Sequence, residues 1–181
     1  HVSQKLYNTP IYYWTFFLCN ANMKSLENDW PVPSNDLQDK IKHTYVHTIL
    51  RVDTFDFFDK LTVGETIQGL ISGATAKFVS KSTDLGVIRV LNVTGTFQAN
   101  EIIQGQTSGD TVVISGQQTE VNSPHHYEKD GFQVPRSTDG RSEVSILQYE
   151  RDKNDRNKKI KVIRPELISK VAKQFRSVVG G

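Results

Sequence analysis

Two segments of this chain share a pattern that decides how its middle folds. Residues 64–76 read GETIQGLISGATA and residues 100–112 read NEIIQGQTSGDTV, with seven identical positions at a constant offset of 36 residues. Each segment combines β-prone residues with glycines at two equivalent positions, which is typical of a strand, a tight turn and a second strand. Two copies are too few for a solenoid, so we expect a small β-barrel or sandwich.

The sequence around the repeat is also β-prone or polar. Residues 87–93, VIRVLNV, predict another strand between the two copies. Residues 116–142 are polar and rich in turn residues, which is typical of a surface loop. We therefore assign residues 61–120 to an inserted β-repeat domain and residues 121–142 to a polar loop.

Adjacent histidines in that loop raise the question of a metal site. The side chains of neighbouring residues point apart on a strand, and neither a cysteine nor a third histidine lies near His125 and His126 in the sequence. We therefore predict exposed loop histidines and no metal site.

The N-terminal end predicts helices. Thr9 can cap a helix and Pro10 suits its first turn, because proline has no N–H to lose there. Residues 11–19, IYYWTFFLC, are apolar on nearly every side, so this helix must be buried within its own domain or against a partner. Pro31 and Pro33 predict a rigid extended connector.

A second helix is predicted to follow the connector. Ser34 can cap it, and apolar residues recur every four positions on one face at Leu37, Ile41 and Tyr45.

The C-terminal end predicts a β-hairpin and a helix. Residues 144–149 and 159–163 favour strands, and the charged residues 151–158 between them favour a turn. Pro165 then opens a helix, with Glu166 near its positive end. The apolar face of this helix consists of Leu167, Ile168, Val171 and Phe175.

These elements together predict an α+β fold. Residues 1–60 and 143–181 are expected to build one small domain of helices and a β-hairpin from both chain ends. The all-β domain is expected to be inserted into it.

Composition excludes several classes of protein. The chain has 181 residues, of which 36% are hydrophobic and 23% charged, as in a folded protein. A net charge of +2 argues against a general nucleic-acid binder. With Cys19 as the single cysteine, no disulfide can form within the chain. Residues 11–19 are too short to span a membrane.

The sequence also lacks the fingerprints of cofactor sites. Gly69 and Gly73 are not followed by the lysine and hydroxyl residue of a phosphate-binding loop, and no dinucleotide-binding pattern occurs. We predict no cofactor and no catalytic set, and therefore no enzymatic activity.

Both ends of the chain resemble one family. Residues 6–10 (LYNTP), the Tyr13-Trp14 pair and residues 18–22 (LCNAN) resemble the N-terminal motif of the baseplate wedge subunit 53 family of T-even-like phages. Residues 156–163, with the helix that follows them, are similar to the C-terminal part of that family.

The resemblance covers roughly residues 1–46 and 143–181. A threonine stands between Asn8 and Pro10, and the family's glycine in that turn is replaced. The glycine-rich middle departs from the T-even protein and resembles β-repeat inserts in tail proteins of marine phages, especially cyanophages.

The resemblance implies a structural role in the virion. Subunits of this family clamp the wedge core proteins of a contractile tail and link neighbouring wedges around the hub. The implied partners are other baseplate wedge proteins and neighbouring wedges, with six copies per baseplate and neither nucleic acid nor membrane. The protein would be made in the host cytoplasm and reside in the tail baseplate.

Seven residues are candidates for contacts with those partners. They are large aromatic residues near the two ends and basic residues of the predicted hairpin: Tyr12, Tyr13, Trp14, Trp30, Lys159, Lys161 and Phe175. Burial of one large aromatic side chain contributes about 1.5–3 kcal/mol, so a few such anchors suffice for a stable contact.

Two other functions remain open. The N-terminal part of the family resembles a LysM module, so the chain could bind carbohydrate or peptidoglycan through aromatic residues; this requires exposed Trp14 and Trp30. A cell-wall hydrolase requires two carboxylates in different environments. Glu27 and Asp29 are close in sequence, but nothing else in the sequence singles them out.

Overall fold

The computed structural model of the chain describes residues 2–55 and 61–179. Within those ranges it contains helices and two antiparallel sheets, so the predicted α+β class is confirmed. The helices are α1 Val2–Tyr7, α2 Trp14–Cys19, α3 Leu26–Asp29, α4 Ser34–Thr44, α5 Ile146–Asn157 and α6 Pro165–Val179. Short 3₁₀ turns occupy Pro10–Tyr13 and Glu120–Asn122.

The strands all lie between α4 and α5. They are β1 Thr48–Arg51, β2 Thr66–Gly69, β3 Thr75–Ser82, β4 Val87–Thr94, β5 Ile102–Gly105, β6 Thr111–Val113, β7 Gly116–Thr119, β8 Pro124–Lys129, β9 Phe132–Val134 and β10 Ser142–Ser145.

The chain divides into two compact units. We call residues 2–33 with 151–179 the terminal unit, and residues 34–150 the central unit. This division differs from the predicted separate domain at 61–120, because β1 pairs with β4 and β7 and so belongs to the same sheet as the repeats. The predicted boundary at residue 60 lies outside the described residues.

The larger sheet of the central unit curls until its ends meet. Its strand order is β6-β5-β2-β3-β4-β1-β7, which places β6 and β7 at opposite ends. Only Ile114 and Ser115 separate these two strands in the chain. The N–H of Ile114 donates to the Glu101 carbonyl at 2.9 Å, and the N–H of Ser115 donates to the Arg51 carbonyl at 2.8 Å. The chain therefore continues from β6, which pairs with β5, into β7, which pairs with β1. This continuous pairing closes the larger sheet into a small barrel.

The two sequence repeats are related by a local twofold axis. Strands β2 and β5 pair antiparallel with Gln68 opposite Gln104, which are equivalent positions of the repeats. The equivalent turn residues Gly73 and Gly109 have φ angles of +70° and +74°. The predicted pattern of strand, glycine turn and strand is confirmed in both copies.

Each repeat caps the turn of the other with a buried glutamate. The Glu101 carboxylate accepts the Ser72 N–H at 3.0 Å and the Ser72 hydroxyl at 2.9 Å. The Glu65 carboxylate accepts the N–H of Ser108 at 2.6 Å. The exchange ties the two halves of the barrel together.

Both glutamates are ionised at neutral pH. Burial by itself would raise the pKa of Glu101, but the Ser72 N–H and hydroxyl and the Gln98 N–H hold it below its ordinary value. The Ser108 N–H in the same way lowers the pKa of Glu65 against the effect of burial.

One glycine of each repeat is needed for close approach. A Cβ atom on Gly69 would lie 2.5 Å from Oε2 of Glu101, and one on Gly105 would lie 2.7 Å from Oε1 of Glu65. The glycine of each repeat therefore leaves room for the glutamate of the other repeat.

The barrel interior is largely aliphatic. Its buried residues are Leu50, Val52, Ile67, Ala74, Ala76, Phe78, Ile88, Val90, Phe97, Ile103, Val112 and Ile114. They come from every strand of the larger sheet except β7 and from the segments that adjoin these strands, which is consistent with a closed barrel filled by side chains.

The polar loop predicted at 121–142 is wrong. This segment forms a 3₁₀ turn and most of a three-stranded sheet of order β10-β8-β9. Tyr127 of β8 is buried and donates its hydroxyl to the Leu85 carbonyl at 2.9 Å. The buried Arg136 guanidinium donates to the main-chain carbonyls of Val52, Thr54 and Thr83. The sequence looked like a loop because single polar groups, not an aliphatic stripe, anchor this sheet.

The two adjacent histidines do not point apart as expected. Strand β10 pairs with Pro124 and His126 but skips His125, so His125 is the extra residue of a β-bulge. The bulge brings the Nδ1 atoms of the two histidines to 2.9 Å, and the His125 ring stacks on Tyr149 at 3.6 Å between centroids. Burial and the neighbouring His126 lower the pKa of His125.

The predicted C-terminal β-hairpin is also wrong. Strand β10 ends at Ser145, α5 takes up the predicted charged turn, and residues 158–164 form neither helix nor strand. The Ser145 hydroxyl accepts the N–H of Gln148 at 3.2 Å and caps the start of α5. The helix lacked an apolar periodicity because asparagines occupy its buried positions in the terminal unit.

The predicted helix starts are confirmed at three places. Thr9 Oγ1 accepts the Ile11 N–H at 3.4 Å, although the first turn is 3₁₀ and α2 follows it. Helix α4 begins at Ser34 and α6 begins at Pro165. Leu37 and Ile41 of α4 are buried, as their spacing predicted.

Candidate interaction surface

A buried asparagine joins the two ends of the chain within the terminal unit. Oδ1 of Asn20 accepts the Lys161 N–H at 2.9 Å, and its Nδ2 donates to the carbonyls of Lys161 at 2.9 Å and Phe16 at 2.7 Å. These bonds satisfy main-chain groups that the predicted strand at 159–163 would have paired with another strand.

Two asparagines of α5 bind the two-proline connector in the same manner. Oδ1 of Asn154 accepts the Val32 N–H at 2.9 Å, and its Nδ2 donates to the Val32 carbonyl at 3.1 Å. Nδ2 of Asn157 donates to the Asp29 carbonyl at 2.7 Å. Amide side chains that satisfy distant main-chain groups therefore join separate segments of the terminal unit.

Asp29 has a structural role in this arrangement. One carboxylate oxygen lies 2.8 Å from Nζ of Lys153, and the other accepts the N–H groups of Lys24 at 2.8 Å and Ser25 at 3.0 Å. The Lys153 ammonium and these N–H groups hold the pKa of Asp29 below its usual range. A catalytic general acid needs the opposite shift, so this geometry disfavours Asp29 as the acid of a hydrolase.

Aromatic rings form a connected row through the terminal unit. Tyr7 contacts Tyr12 edge-on at 5.9 Å and stacks on Phe16 at 6.1 Å, and Phe16 contacts Trp30 edge-on at 5.9 Å. The Tyr7 hydroxyl also donates to the Ile163 carbonyl at 2.9 Å. Separately, Trp14 of α2 stacks on Phe175 of α6 at 4.6 Å.

An apolar cleft opens beside this row. Its volume is about 260 Å³, and its lining residues are Val2, Ser3, Pro10, Tyr13, Phe16, Leu26 and Trp30. Small-molecule sites usually measure about 300–1,000 Å³, so this cleft lies just below that range. Its size and apolar lining suit a single apolar side chain from a protein partner.

Helix α6 carries an apolar stripe that is wider than its buried strip. Ile168 and Ala172 are buried, and at 100° per residue they lie about 40° apart. Leu167, Val171 and Val178 lie together, about 80–120° around the helix axis from the midpoint between those two residues. We call these three residues the apolar flank. Leu167 exposes 49% and Val178 82% of its surface.

The seven predicted interface residues fall into three environments. Tyr12, Trp14 and Trp30 are half-buried, and Trp14 and Phe175 contact each other directly. Tyr13 is exposed over 55% of its surface and faces the cleft that Trp30 also lines. Lys159 and Lys161 are exposed on the segment between α5 and α6.

Sequence reasoning missed other exposed apolar residues of the terminal unit. They are Leu6, Ile11, Leu18, Leu26, Val162, Leu167, Val178 and Val179. The expectation that 11–19 would be buried within its own domain is wrong for Ile11, Tyr13 and Leu18, while burial against a partner stays open. The apolar pattern placed most of these residues on helices, but only the packing shows which of them remain uncovered.

The central unit has a larger and more polar cleft. It measures about 950 Å³, and its lining includes Phe55, Asp84, His126, Tyr127 and Arg136. The Arg136 guanidinium and the Tyr127 hydroxyl are already bound to main-chain carbonyls, and Nε2 of His126 lies 2.8 Å from Glu128. These groups stabilise the fold around the cleft.

The buried Glu120 of the central unit is likewise paired. Its carboxylate lies 2.7 Å from Nδ1 of His47 and 2.9 Å from Nε of Arg89. Burial opposes its ionisation, but the Arg89 and His47 hydrogen bonds lower the pKa of Glu120 below its ordinary value.

The described part of the chain contains neither a cluster of metal ligands nor a membrane-spanning helix. In residues 2–55 and 61–179, no group of three or more His, Cys, Asp or Glu side chains could hold a metal ion. Over the same ranges, no helix combines the length and the apolar character needed to cross a membrane.

Comparison of the chain with family models, with curated proteins and with solved structures finds no match in any of the three. The resemblance to the baseplate wedge subunits therefore remains a prediction from the quoted motifs.

Proposed function

We propose that this protein is a structural subunit of a contractile phage tail, which holds wedge core proteins of the baseplate through its terminal unit and links neighbouring wedges. The observation that carries the proposal is the apolar surface of that unit. Its cleft at Tyr13 and Trp30 is open, and Leu167 and Val178 of the apolar flank of α6 are exposed. Exposed apolar patches of this kind mark protein-binding sites.

The construction of the terminal unit supports the same role. The two stretches that resemble the wedge subunits lie at opposite ends of the chain, and Asn20 and Asn154 join these ends into one compact unit. A surface assembled from both ends would be lost if either end were displaced. This dependence suits a subunit that becomes fully ordered on its partners.

The central unit would then be a peripheral module. Its barrel has a filled aliphatic core and internal glutamate caps, so it needs no partner to satisfy its interior. In the proposed baseplate, six copies would combine modest contacts of the terminal units through avidity.

Binding of cell-wall carbohydrate is the competing function. Tyr13 is exposed and Trp30 lines the same cleft, as a sugar-stacking site would require. Against it, Trp14 and Trp30 are both half-buried, and each packs on a phenylalanine of the same unit. An open aromatic platform is what a glycan site needs, so the geometry favours protein contacts.

The test is sedimentation velocity of the purified chain, alone and mixed with the wedge core proteins of the same virus. We expect a faster-sedimenting stoichiometric complex. A chain that stays a free monomer in the mixture would overturn the proposal and direct the work to glycan pull-downs. Turnover of purified cell wall would overturn it in favour of a hydrolase.

A pair of matched variants makes the test specific. Tyr13→Ala removes an exposed aromatic of the cleft and should weaken the complex at least tenfold, or about 1.4 kcal/mol. Phe132→Ala removes an aromatic that exposes 73% of its surface on the central unit and should leave the affinity unchanged. The opposite ranking would place the contact on the central unit.

A further inference from the structure

The two units carry formal charges of opposite sign, although the net charge of the chain is small. Residues 1–33 and 151–181 contain twelve Lys and Arg against five Asp and Glu, a formal charge of +7. Residues 34–150 contain ten Lys and Arg against fifteen Asp and Glu, a formal charge of −5. The net charge of +2 therefore says little about the field around the proposed interaction surface.

Part of the acidic charge of the terminal unit is already paired. Asp29 lies 2.8 Å from Nζ of Lys153, and Asp155 lies 2.6 Å from Nζ of Lys158. The exposed cations of this unit include Lys159, Lys161, Lys170, Lys173 and Arg176. The unit as a whole therefore carries an excess of positive charge.

One lysine borders the apolar flank of α6, and a second lies beyond it on the polar face of the helix. Around the helix axis, Lys170 lies about 60° from Leu167 and Lys173 lies about 60° further on, with Glu166 between the two lysines. Both lysines are exposed, as is Val178 on the same flank. An apolar patch with a basic rim is complementary to an apolar patch with an acidic rim.

We infer that the surface docking against the terminal unit is an acidic protein surface, with an apolar centre that covers the flank of α6 and carboxylates that meet Lys170 and Lys173. This inference rests on the proposed function, because it describes the chemistry of the partner at the same surface. Rim charges of this kind govern the association rate and the salt dependence of a complex.

Two other classes of partner fit the geometry less well. Single-stranded nucleic acid needs free rings for base stacking, but Trp14 and Phe175 stack on each other. A membrane-surface helix buries its whole apolar face in lipid, whereas Ile168 and Ala172 at the centre of that face are already buried in the protein. An acidic protein surface would have to contact only the apolar flank and the two lysines.

The experiment measures binding of the full chain to the wedge core proteins at 50 and 500 mM NaCl. A double variant, Lys170→Glu with Lys173→Glu, tests the basic rim. Lys77→Glu with Lys129→Glu, two exposed lysines of the central unit, is the matched control with the same change in net charge. We expect the wild-type affinity to fall at least tenfold at high salt. The rim variant should bind at least tenfold more weakly at low salt, and the control variant should bind nearly as the wild type does.

Zero-length carbodiimide coupling locates the contact. The reagent joins a lysine amine directly to a carboxylate, so Lys170 and Lys173 should become linked to Asp or Glu residues of the wedge proteins. Links that reach only lysines of the central unit would overturn the inference.

The outcomes separate the two proposals. If no complex forms at either salt concentration, the proposed function itself fails. If a complex forms but its affinity changes neither with salt concentration nor in the rim variant, the proposed function stands and the acidic partner is refuted. Equally tight binding of a double-stranded oligonucleotide or of anionic phosphatidylserine vesicles, in competition with the wedge proteins, would also refute it.

Discussion

Ile67 and Ile103 of the central unit are fully buried, whereas Tyr13 and Leu18 of the terminal unit expose 55% and 57% of their surfaces. The first unit fills a barrel with aliphatic side chains and satisfies its turns with its own glutamates. The second is joined by asparagine side chains and leaves large apolar residues uncovered. The central unit also exposes large apolar residues, among them Ile71 and Phe132, so the two units differ chiefly in how each is held together.

The charge distribution follows the same division. The terminal unit combines its uncovered apolar residues with an excess of cations, while the central unit is acidic. Interfaces of this composition combine apolar burial with electrostatic steering of the encounter. Substitutions in the two units should therefore have different effects on stability.

The largest effect is expected inside the barrel. Ile103→Ala should lower the free energy of unfolding by about 2–5 kcal/mol, because it leaves a cavity in a fully packed interior. The symmetry-equivalent Ile67→Ala should cost a similar amount. Urea unfolding followed by circular dichroism measures both. The partly exposed Ile102→Ala is the control, and an Ile103→Ala loss as small as that of the control would refute the packed barrel.

The glutamate caps make the central unit sensitive to acid. The pKa values of Glu65 and Glu101 are lower in the folded chain than their ordinary value of 4.5, so the unfolded chain takes up protons first as the pH falls. Their stabilising effect is therefore fully present above about pH 4.5 and is lost as the pH drops through the folded values. Urea midpoints between pH 7 and pH 3 should show this loss.

Glu101→Gln should flatten that pH dependence and cost about 1–3 kcal/mol at pH 7, because an amide cannot accept all the N–H and hydroxyl donors that the carboxylate accepts. Asp84→Asn, a change at an exposed carboxylate, should do neither. An unchanged pH profile in Glu101→Gln would show that the caps do not control the acid sensitivity.

Loss of an asparagine hydrogen bond should destabilise the terminal unit without affecting the barrel. Asn20→Ala leaves the N–H and carbonyl of Lys161 without their side-chain partner, at a cost of about 1–3 kcal/mol. Hydrogen exchange should rise in residues 2–33 and 151–179 and stay unchanged in the barrel. Asn28→Ala, at an exposed asparagine, is the control. Equal loss of protection in both units would contradict the division of the chain.

The smallest expected effect concerns the Trp14–Phe175 pair. A double-mutant cycle with both residues changed to Ala should yield a coupling of about 0.5–1.5 kcal/mol, typical of stacked rings. Trp14→Ala alone should cost less than the roughly 3–5 kcal/mol of a fully buried site, since Trp14 is only half-buried. A folded Trp14→Ala protein that binds wedge proteins poorly would make Trp14 an interface anchor as well.

The sequence predicted the local parts of the candidate site better than their arrangement. Tyr13, Trp14, Trp30 and Phe175 were recognised as large aromatics near the chain ends, but the contact between Trp14 and Phe175 depends on two helices far apart in sequence. The sequence placed Leu167 on the apolar face of α6 together with Ile168, but Leu167 is exposed and Ile168 is buried. The width of an apolar stripe is visible in a sequence, while the part that a neighbour covers is not.

The errors in secondary structure have the same cause. Residues 146–157 became helix instead of strand and turn, and Asn154 of that helix binds Val32, 122 positions earlier in the chain. Residues 121–142 became sheet instead of loop, and Arg136 there binds carbonyls of the barrel. Isolated polar residues that satisfy distant main-chain groups leave no periodic signal in the sequence.

Local sequence patterns suffice for the α+β class, the paired strand-turn-strand repeats and the starts of α4 and α6, because glycine turns, proline and capping residues act on their immediate neighbours. Three features appear only in the folded chain: the repeats exchange their glutamate caps, both chain ends form one unit, and Leu167 and Val178 of the apolar flank stay exposed. Each of these depends on groups brought together across long separations, where the free energy of packing and hydrogen bonding outweighs local preference.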